Sequence, residues 1–155
     1  MLESLENSAF SLWLGESPSI WAYPTVLTLH TFGMGVLAGA CWMLDLRILG
    51  IGRQIPLGSL QPLFPLMWGA LSINVVTGSM LFLTTATERG TSTLFLAKMF
   101  FVVLGVATII FLKREIYGMS ADPAPLRGTA KLLALASLFL WLAAITAGRL
   151  LAYIA

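Results

Sequence analysis

Residues 17–44, SPSIWAYPTVLTLHTFGMGVLAGACWML, lie between Glu16 and Asp45 and contain no Asp, Glu, Lys or Arg. The only side chain in this stretch expected to titrate near neutral pH is His30. About 20 consecutive apolar residues are enough for a helix to cross the hydrocarbon core of a bilayer. The stretch therefore predicts a membrane-spanning helix.

The rest of the chain repeats this pattern. We predict spans over residues 20–49, 63–85, 93–112 and 129–153, joined by short loops that make sequential helices antiparallel. The 155 residues are 58% hydrophobic and 10% charged, whereas a soluble domain carries about 25% charged residues. The prediction is one all-α membrane domain over 1–155, an antiparallel bundle of four spans. A net charge of +2 without a basic arm excludes nucleic acid as a partner.

The N-terminal segment differs from the spans. Over residues 2–14, apolar side chains at Leu2, Leu5, Ala9 and Leu12 recur at helical spacing, which predicts an amphipathic helix on the membrane surface. Trp13 is placed to anchor it at the headgroups. The segment is acidic and lacks the basic region of a secretory signal, so we expect the first span to be retained. After it, 17–18 (Ser-Pro) is a typical helix start.

Basic residues in the loops predict the orientation. Arg47 and Arg53 flank the first loop, and a second group follows the third span: Lys113, Arg114, Arg127 and Lys131. The positive-inside rule places both of these loops in the cytoplasm and both termini outside.

Polar side chains within the spans are candidates for binding, because ionisable groups in a membrane usually face the bundle interior or a cavity. His30, Asn74, Lys98 and Arg149 fall at similar depths, and together they predict a pocket in the outer half of the membrane. Two cations beside an imidazole suit a carboxylate, a haem propionate or a quinone oxygen. Alternatively, Lys98 and Arg149 extend to the interface and keep their charges in water.

Trp141 lies near the centre of the fourth span, away from the interfaces that tryptophan prefers. It either fills the bundle core or stacks against a flat cofactor in the predicted pocket.

Soft side chains follow one face of the first span. His30 and Met34 are a possible copper(I) pair. Cys41 lies on the same face but about 16 Å along the helix from His30, so it cannot bind the same ion. Methionine and cysteine are equally common as core residues. Nearby, Asp45 is expected to pair with Lys113 or Lys131.

Small residues recur four apart on two spans, as Gly35/Gly39 and Ala144/Gly148. Such faces let helix backbones approach closely in lipid. They serve either the internal bundle or association with another chain, including a second copy.

Three segments carry a resemblance: 23–33 (YPTVLTLHTFG), 44–50 (LDLRILG) and 148–153 (GRLLAY), with 76–82 between them. With these, nearly the whole chain resembles a family of small bacterial four-span membrane proteins of unknown function. The resemblance implies the fold and a location in the bacterial inner membrane, and it implies no activity. A looser likeness is to copper-resistance and cytochrome b-type bundles, in which a histidine precedes a glycine on an early span. A single histidine excludes haem ligation by paired histidines within one chain.

The sequence shows no hydrolytic triad, metal-binding cluster or phosphate-binding loop, so we expect no enzyme activity of the chain on its own. The leading hypothesis is an accessory subunit of a larger membrane complex or a homo-oligomer, with an outer-half ligand pocket around His30. The alternatives are an electron-transfer protein that binds haem b or quinone, and a small carrier for a metal ion or an anion.

Overall fold

A computed structural model describes residues 2–16, 19–117 and 126–154. Over these residues the chain is helical and contains no strand. Its α-helices are α1 (Leu2–Glu6), α2 (Ala9–Glu16), α3 (Ala22–Leu49), α4 (Leu63–Leu83), α5 (Ala86–Thr91), α6 (Thr93–Tyr117) and α7 (Gly128–Ile154). A short 3-10 turn, Leu57–Leu60, precedes α4. The helices α3, α4, α6 and α7 are long and apolar enough to cross a membrane. The predicted all-α, four-span membrane protein is confirmed.

The boundaries differ from the predicted spans in two places. Helix α6 continues to Tyr117, beyond the predicted end at residue 112, because Ile116 and Tyr117 after the charged residues pack against the buried core. The segment after α4, predicted as a short loop, contains the helix α5. The predicted helix start at residues 17–18 and half of the predicted third loop, residues 118–125 of 113–128, lie outside the described residues.

The predicted surface helix is two helices. A break at residues 7–8 separates α1 from α2, so the two parts no longer share one apolar face. Ser11 and Leu14 of α2 are buried, whereas Leu12, expected on the apolar face, is exposed. The Ser11 hydroxyl donates to the carbonyl oxygen of Leu83 at 2.8 Å, which satisfies one of the carbonyls left unpaired at the end of α4.

Helix α3 ends at a glycine whose backbone conformation explains the stop. Gly50 has φ 105°, in the left-handed region that side chains with a Cβ avoid. Its N–H donates to the Arg47 carbonyl, and the N–H of Ile51 donates to Leu46 at 2.9 Å. These two bonds satisfy terminal carbonyls of α3 and turn the chain towards α4.

The four long helices pack as α3 against α4, α6 against α7, and α3 against α7. Helices α4 and α6 do not pack along their length. They meet through an aromatic pair at each end, Phe82 with Phe95 and Phe64 with Tyr117, whose ring centroids are 5.2 and 5.4 Å apart. Between these pairs the two helices are separated.

The buried core lies mainly in the half of the bundle opposite α1, α2 and α5. Its side chains come from all four long helices and include Leu37, Ile48, Phe64, Met67, Leu112 and Trp141. The outward faces are apolar as well, as expected where the surrounding solvent is lipid.

The structure contradicts the expected ion pair of Asp45 with Lys113 or Lys131. The side chain is fully buried beside Ser137, and within the described residues neither carboxylate oxygen is paired with a lysine or arginine. Lys113 lies instead over the ring of Phe64, with its Nζ 5.8 Å from the centroid. The reason is helical periodicity, since Asp45 follows Leu37 and Cys41 on the buried stripe of α3.

Candidate ligand-binding site

A cavity of about 460 Å³ lies among α3, α4 and α6, in the half of the bundle that carries α1, α2 and α5. Its wall is almost entirely apolar, and Leu5 of α1 contributes to it. Val75 on α4 and Met99 on α6 line the cavity and are also exposed on the outside of the chain. The cavity therefore opens sideways, through the gap between α4 and α6.

His30 lines this cavity from α3. Its Nδ1 lies 3.0 Å from the hydroxyl oxygen of Thr77 on α4. That hydroxyl oxygen is also 2.6 Å from the carbonyl oxygen of Ile73, one turn earlier on α4. Two oxygens this close need a hydrogen between them, and the hydroxyl has only one to give. Thr77 therefore donates to Ile73 and accepts from His30, so the proton of a neutral imidazole is on Nδ1.

Among the described residues no hydrogen bond to the other ring nitrogen, Nε2, is found, and the further polar contact of the ring is with the backbone carbonyl of Asn74. In the neutral ring Nε2 carries a lone pair, which is free to accept a hydrogen bond or to bind a metal.

Two glycines allow α3 and α4 to approach closely beside this site. A Cβ at Gly78 would lie 3.0 Å from His30 Cε1. A Cβ at Gly33 would lie 2.8 Å from the amide nitrogen of Asn74. Asn74 lines the cavity, and that amide nitrogen donates to the carbonyl oxygen of Ala70 at 3.0 Å. Because neither glycine has a side chain, the His30 ring and the Asn74 amide fit between α3 and α4.

Of the two predicted cations, the structure places one at the cavity. Lys98 lines the wall contributed by α6 and packs against Gly148 of α7, where a Cβ would lie 3.6 Å from its Nζ. Arg149 is exposed and lies over the ring of Tyr153, at 6.0 Å from the centroid. Arg149 does not line the cavity, because the position next to Gly148 is on a different face of α7.

Trp141 lines the cavity from α7 and is fully buried. It packs against α6, where a Cβ at Gly105 would lie 3.0 Å from Trp141 Cε2. The structure thus gives this residue a packing role and also places it on the wall of the site.

Met34, the predicted partner of His30 for a soft metal, also lines the cavity. Met99 contributes a second thioether from α6, and Cys41 is buried in the core instead. Among the residues described, no group of three or more His, Cys, Asp or Glu side chains is arranged to hold a metal ion. Metal binding by His30 and Met34 stays a prediction.

The two small-residue pairs lie on different sides of the protein. Gly35 and Gly39 are exposed, and nothing lies within 4 Å of a Cβ built at either. Ala144 is fully buried, and Gly148 lies against Lys98. Of the two pairs, Gly35/Gly39 is therefore the one on the lipid-facing surface.

A protein-family model matches nearly the whole chain. Residues 7–154 match a family described as a family of unknown function, DUF6644. The chain belongs to this family. No curated protein and no solved structure gives a match. The expected membership of a family of unknown function is confirmed, and the DUF6644 family carries no assigned chemistry to transfer to the cavity.

Sequence reasoning missed two parts of the site. Thr77 follows Asn74 by three residues, so the two share a face of α4, and this spacing was a usable signal. The contribution of Leu5 had no comparable signal, because it depends on the break between α1 and α2 and on how α1 packs against α5.

Proposed function

We propose that this protein is an integral membrane subunit, without catalytic activity of its own, that binds a lipid-soluble molecule with a small polar head. The observation that carries the proposal is the cavity at His30, which lies within the spanning helices and opens sideways between α4 and α6. A molecule dissolved in the bilayer can enter such a site without crossing water.

The chemistry of the wall supports this class of ligand. Binding sites for small molecules are mostly apolar, with a few polar groups that fix orientation. Here the polar groups are grouped around His30, Asn74 and Lys98, while the exposed rim at Val75 and Met99 is apolar. The arrangement suits a molecule whose polar head reaches His30 and whose apolar part extends towards the lipid.

Assembly and orientation complete the proposal. The exposed Gly35/Gly39 face suits close packing against a helix of another subunit or of a second copy. A Gly39→Ile variant is expected to lose that assembly, and unchanged migration on a native gel would count against it. The basic loops favour an orientation with both termini outside in a bacterial inner membrane, which places the His30 cavity in the outer half.

The test is to identify what the purified protein carries. Protein extracted in mild detergent is washed and treated with organic solvent, and the released compounds are identified by mass spectrometry. We expect a lipophilic compound in stoichiometric amount, lost in His30→Ala and in Val75→Trp, which fills the cavity mouth.

The matched control is Val76→Trp. Val76 is as exposed as Val75, at 60% against 59%, but does not line the cavity. Recovery of the same compounds from wild type, Val75→Trp and Val76→Trp would contradict the proposal.

One observation favours haem b binding as a second candidate. A histidine that binds a metal usually donates its other ring N–H to a fixed acceptor, and Thr77 is such an acceptor for His30 Nδ1. Haem would supply a redox centre, which His30 would bind through Nε2 and Lys98 would hold through a charged side group. Met34 lies one turn from His30 on the same helix, so a second protein ligand would come from Met99 or from another chain.

Absorption spectra of the oxidised and dithionite-reduced protein test this candidate. A Soret band that shifts on reduction and is absent in His30→Ala would support haem. A featureless visible spectrum would exclude it and leave the lipid-soluble ligand as the function to pursue.

A further inference from the structure

We propose that the ligand of the cavity is a hydrogen-bond donor, a phenolic head whose hydroxyl hydrogen bonds to His30 Nε2, and that Thr77 is the positioning residue that selects this chemistry. This inference rests on the proposed function, since it names the class of molecule that the same cavity takes.

The direction of the hydrogen bonds requires a donor. The 2.6 Å separation commits the only hydroxyl hydrogen of Thr77 to Ile73, so His30 Nδ1 must supply the hydrogen of its own 3.0 Å bond to Thr77. Nε2 is then an acceptor at the cavity wall. A ligand that has only acceptor oxygens, such as a quinone or an ether, leaves this lone pair unmatched in an apolar site. A hydroxyl group satisfies it.

The remaining groups of the cavity favour a phenol among hydroxyl compounds. Lys98 is a donor on the wall contributed by α6, and a hydroxyl oxygen that gives its hydrogen to His30 still has lone pairs to accept from an ammonium. A cation also stabilises the partial negative charge of an acidic hydroxyl.

The aromatic part of the cavity suits a ring. Phe82 and Phe95 stack at one end with their planes 23° apart, and Trp141 forms another part of the wall. Flat aromatic side chains pack favourably against a flat ring. The reduced, hydroxyl-bearing state of a membrane quinone has this chemistry, as do simpler alkylphenols.

Thr77 acts through His30 and need not touch the ligand. Without its oxygen, the Asn74 backbone carbonyl is the acceptor left beside the ring among the described residues. The ring can then more readily place its hydrogen on Nε2 and present a donor to the cavity. Thr77→Ser keeps the hydroxyl and its bond to Ile73, whereas Thr77→Val keeps the shape and removes the acceptor.

The experiment uses two probes, para-dodecylphenol and para-dodecylanisole. In the anisole a methyl group replaces the hydroxyl hydrogen, so it cannot donate a hydrogen bond. Their affinities for the full-length protein in lipid nanodiscs are measured by titration calorimetry, and the ratio is compared with that of His30→Ala, which cancels unequal partitioning into lipid. We expect the ratio of the phenol affinity to the anisole affinity to be about 2- to 12-fold higher in wild type than in His30→Ala, which is the effect of one hydrogen bond. Thr77→Val is expected to lose this preference and Thr77→Ser to keep it.

A second measurement tests the position of the hydrogen in the wild-type protein, without depending on whether a variant folds. The ¹⁵N shifts of the imidazole in labelled wild-type protein report which nitrogen carries the hydrogen, and there is only one histidine to assign. We expect the Nδ1–H form in wild type and in Thr77→Ser, and a shift towards the Nε2–H form in Thr77→Val.

The outcomes separate the two proposals. Equal binding of both probes, with the same ratio in His30→Ala, or an Nε2–H ring in wild type, would overturn the donor inference and leave the binding function standing. An unchanged ¹⁵N spectrum in Thr77→Val would overturn the role given to Thr77. Failure of both probes to bind, together with no co-purified lipophilic compound, would overturn the proposed function itself.

Discussion

Replacing Gly78 by alanine puts a methyl carbon 3.0 Å from His30 Cε1 and 3.5 Å from Nδ1. Carbon atoms in contact prefer separations of about 3.5–4.0 Å, so the imidazole has to retreat by roughly half an ångström. Its bond to Thr77 is 3.0 Å long, and a displacement of that size brings it to about 3.5 Å, where little of a hydrogen bond remains.

The size of the effect follows from these terms. Loss of the bond costs about 0.5–1.5 kcal/mol, and inserting a methyl group into a packed contact costs about 1–3 kcal/mol. Alanine gains roughly 0.8–1 kcal/mol over glycine within a helix. Gly69→Ala on the same helix has only this gain, because nothing lies within 4 Å of its added carbon. The two costs add, and the helix gain is common to both variants, so we expect Gly78→Ala to be less stable than Gly69→Ala by about 1.5–4.5 kcal/mol.

The assay is reversible unfolding by SDS in mixed micelles, followed by far-ultraviolet circular dichroism, for wild type and both variants. Comparing the two alanine variants removes the helix-propensity term and isolates the contact with His30. Equal unfolding free energies for the two variants, within about 0.5 kcal/mol, would refute the close packing of α4 against His30.

Three further predictions concern the fold. Gly33→Ala should destabilise the protein by about 1–3 kcal/mol relative to Gly35→Ala in the same SDS assay. The reason is that the methyl group added at Gly33 lies 2.8 Å from the amide nitrogen of Asn74, whereas the one added at Gly35 has no neighbour within 4 Å. Equal stabilities of the two variants would contradict the α3–α4 interface. Gly50→Ala should cost about 1–2 kcal/mol, since its φ of 105° is strained for a side chain with a Cβ, and no loss of stability would contradict the left-handed helix end. Hydrogen bonds from the side chain and then the backbone N–H of Thr87 lower the pKa of Glu6. The contribution of this contact to stability is therefore complete above the usual glutamate pKa and is lost as the pH falls through the lowered pKa. The protection factors for amide exchange in the first turn of α5 should fall at acid pH in wild type, and those of Glu6→Gln should not change with pH.

Much of the fold is readable from the sequence because the bilayer imposes simple rules. A charge-free stretch around His30 and three more like it require helices of membrane-crossing length. Composition does not determine which helices pack together, and the gap between α4 and α6 depends on that. The gap is bounded by Phe82 with Phe95 and by Phe64 with Tyr117, and the last of these lies beyond the predicted end of its span.

The candidate site was predictable to the level of depth along the helices, but not to the level of orientation around them. Depth places His30, Asn74 and Lys98 together, and the structure has all three on one cavity. Arg149 has a suitable depth but a different face of α7, where it meets Tyr153. The hydrogen-bond direction that defines the chemistry of His30 depends on distances to the Thr77 oxygen, which only a structure supplies.

Asp45 shows the limit of charge-pairing arguments in a membrane protein. Two lysines near its depth favoured an ion pair, yet the residue occupies the buried stripe of α3, beside Ser137 of α7. Which residues of a helix are buried is set by the neighbouring helix, and the sequence of one helix does not reveal its neighbour.

A cryo-EM structure of the protein in nanodiscs made from its native membrane would test the central claim most directly. The account predicts density that does not belong to the protein, entering between α4 and α6 and reaching His30 Nε2. Helices α4 and α6 packed against each other along their length, with side chains filling the space beside His30, would contradict it.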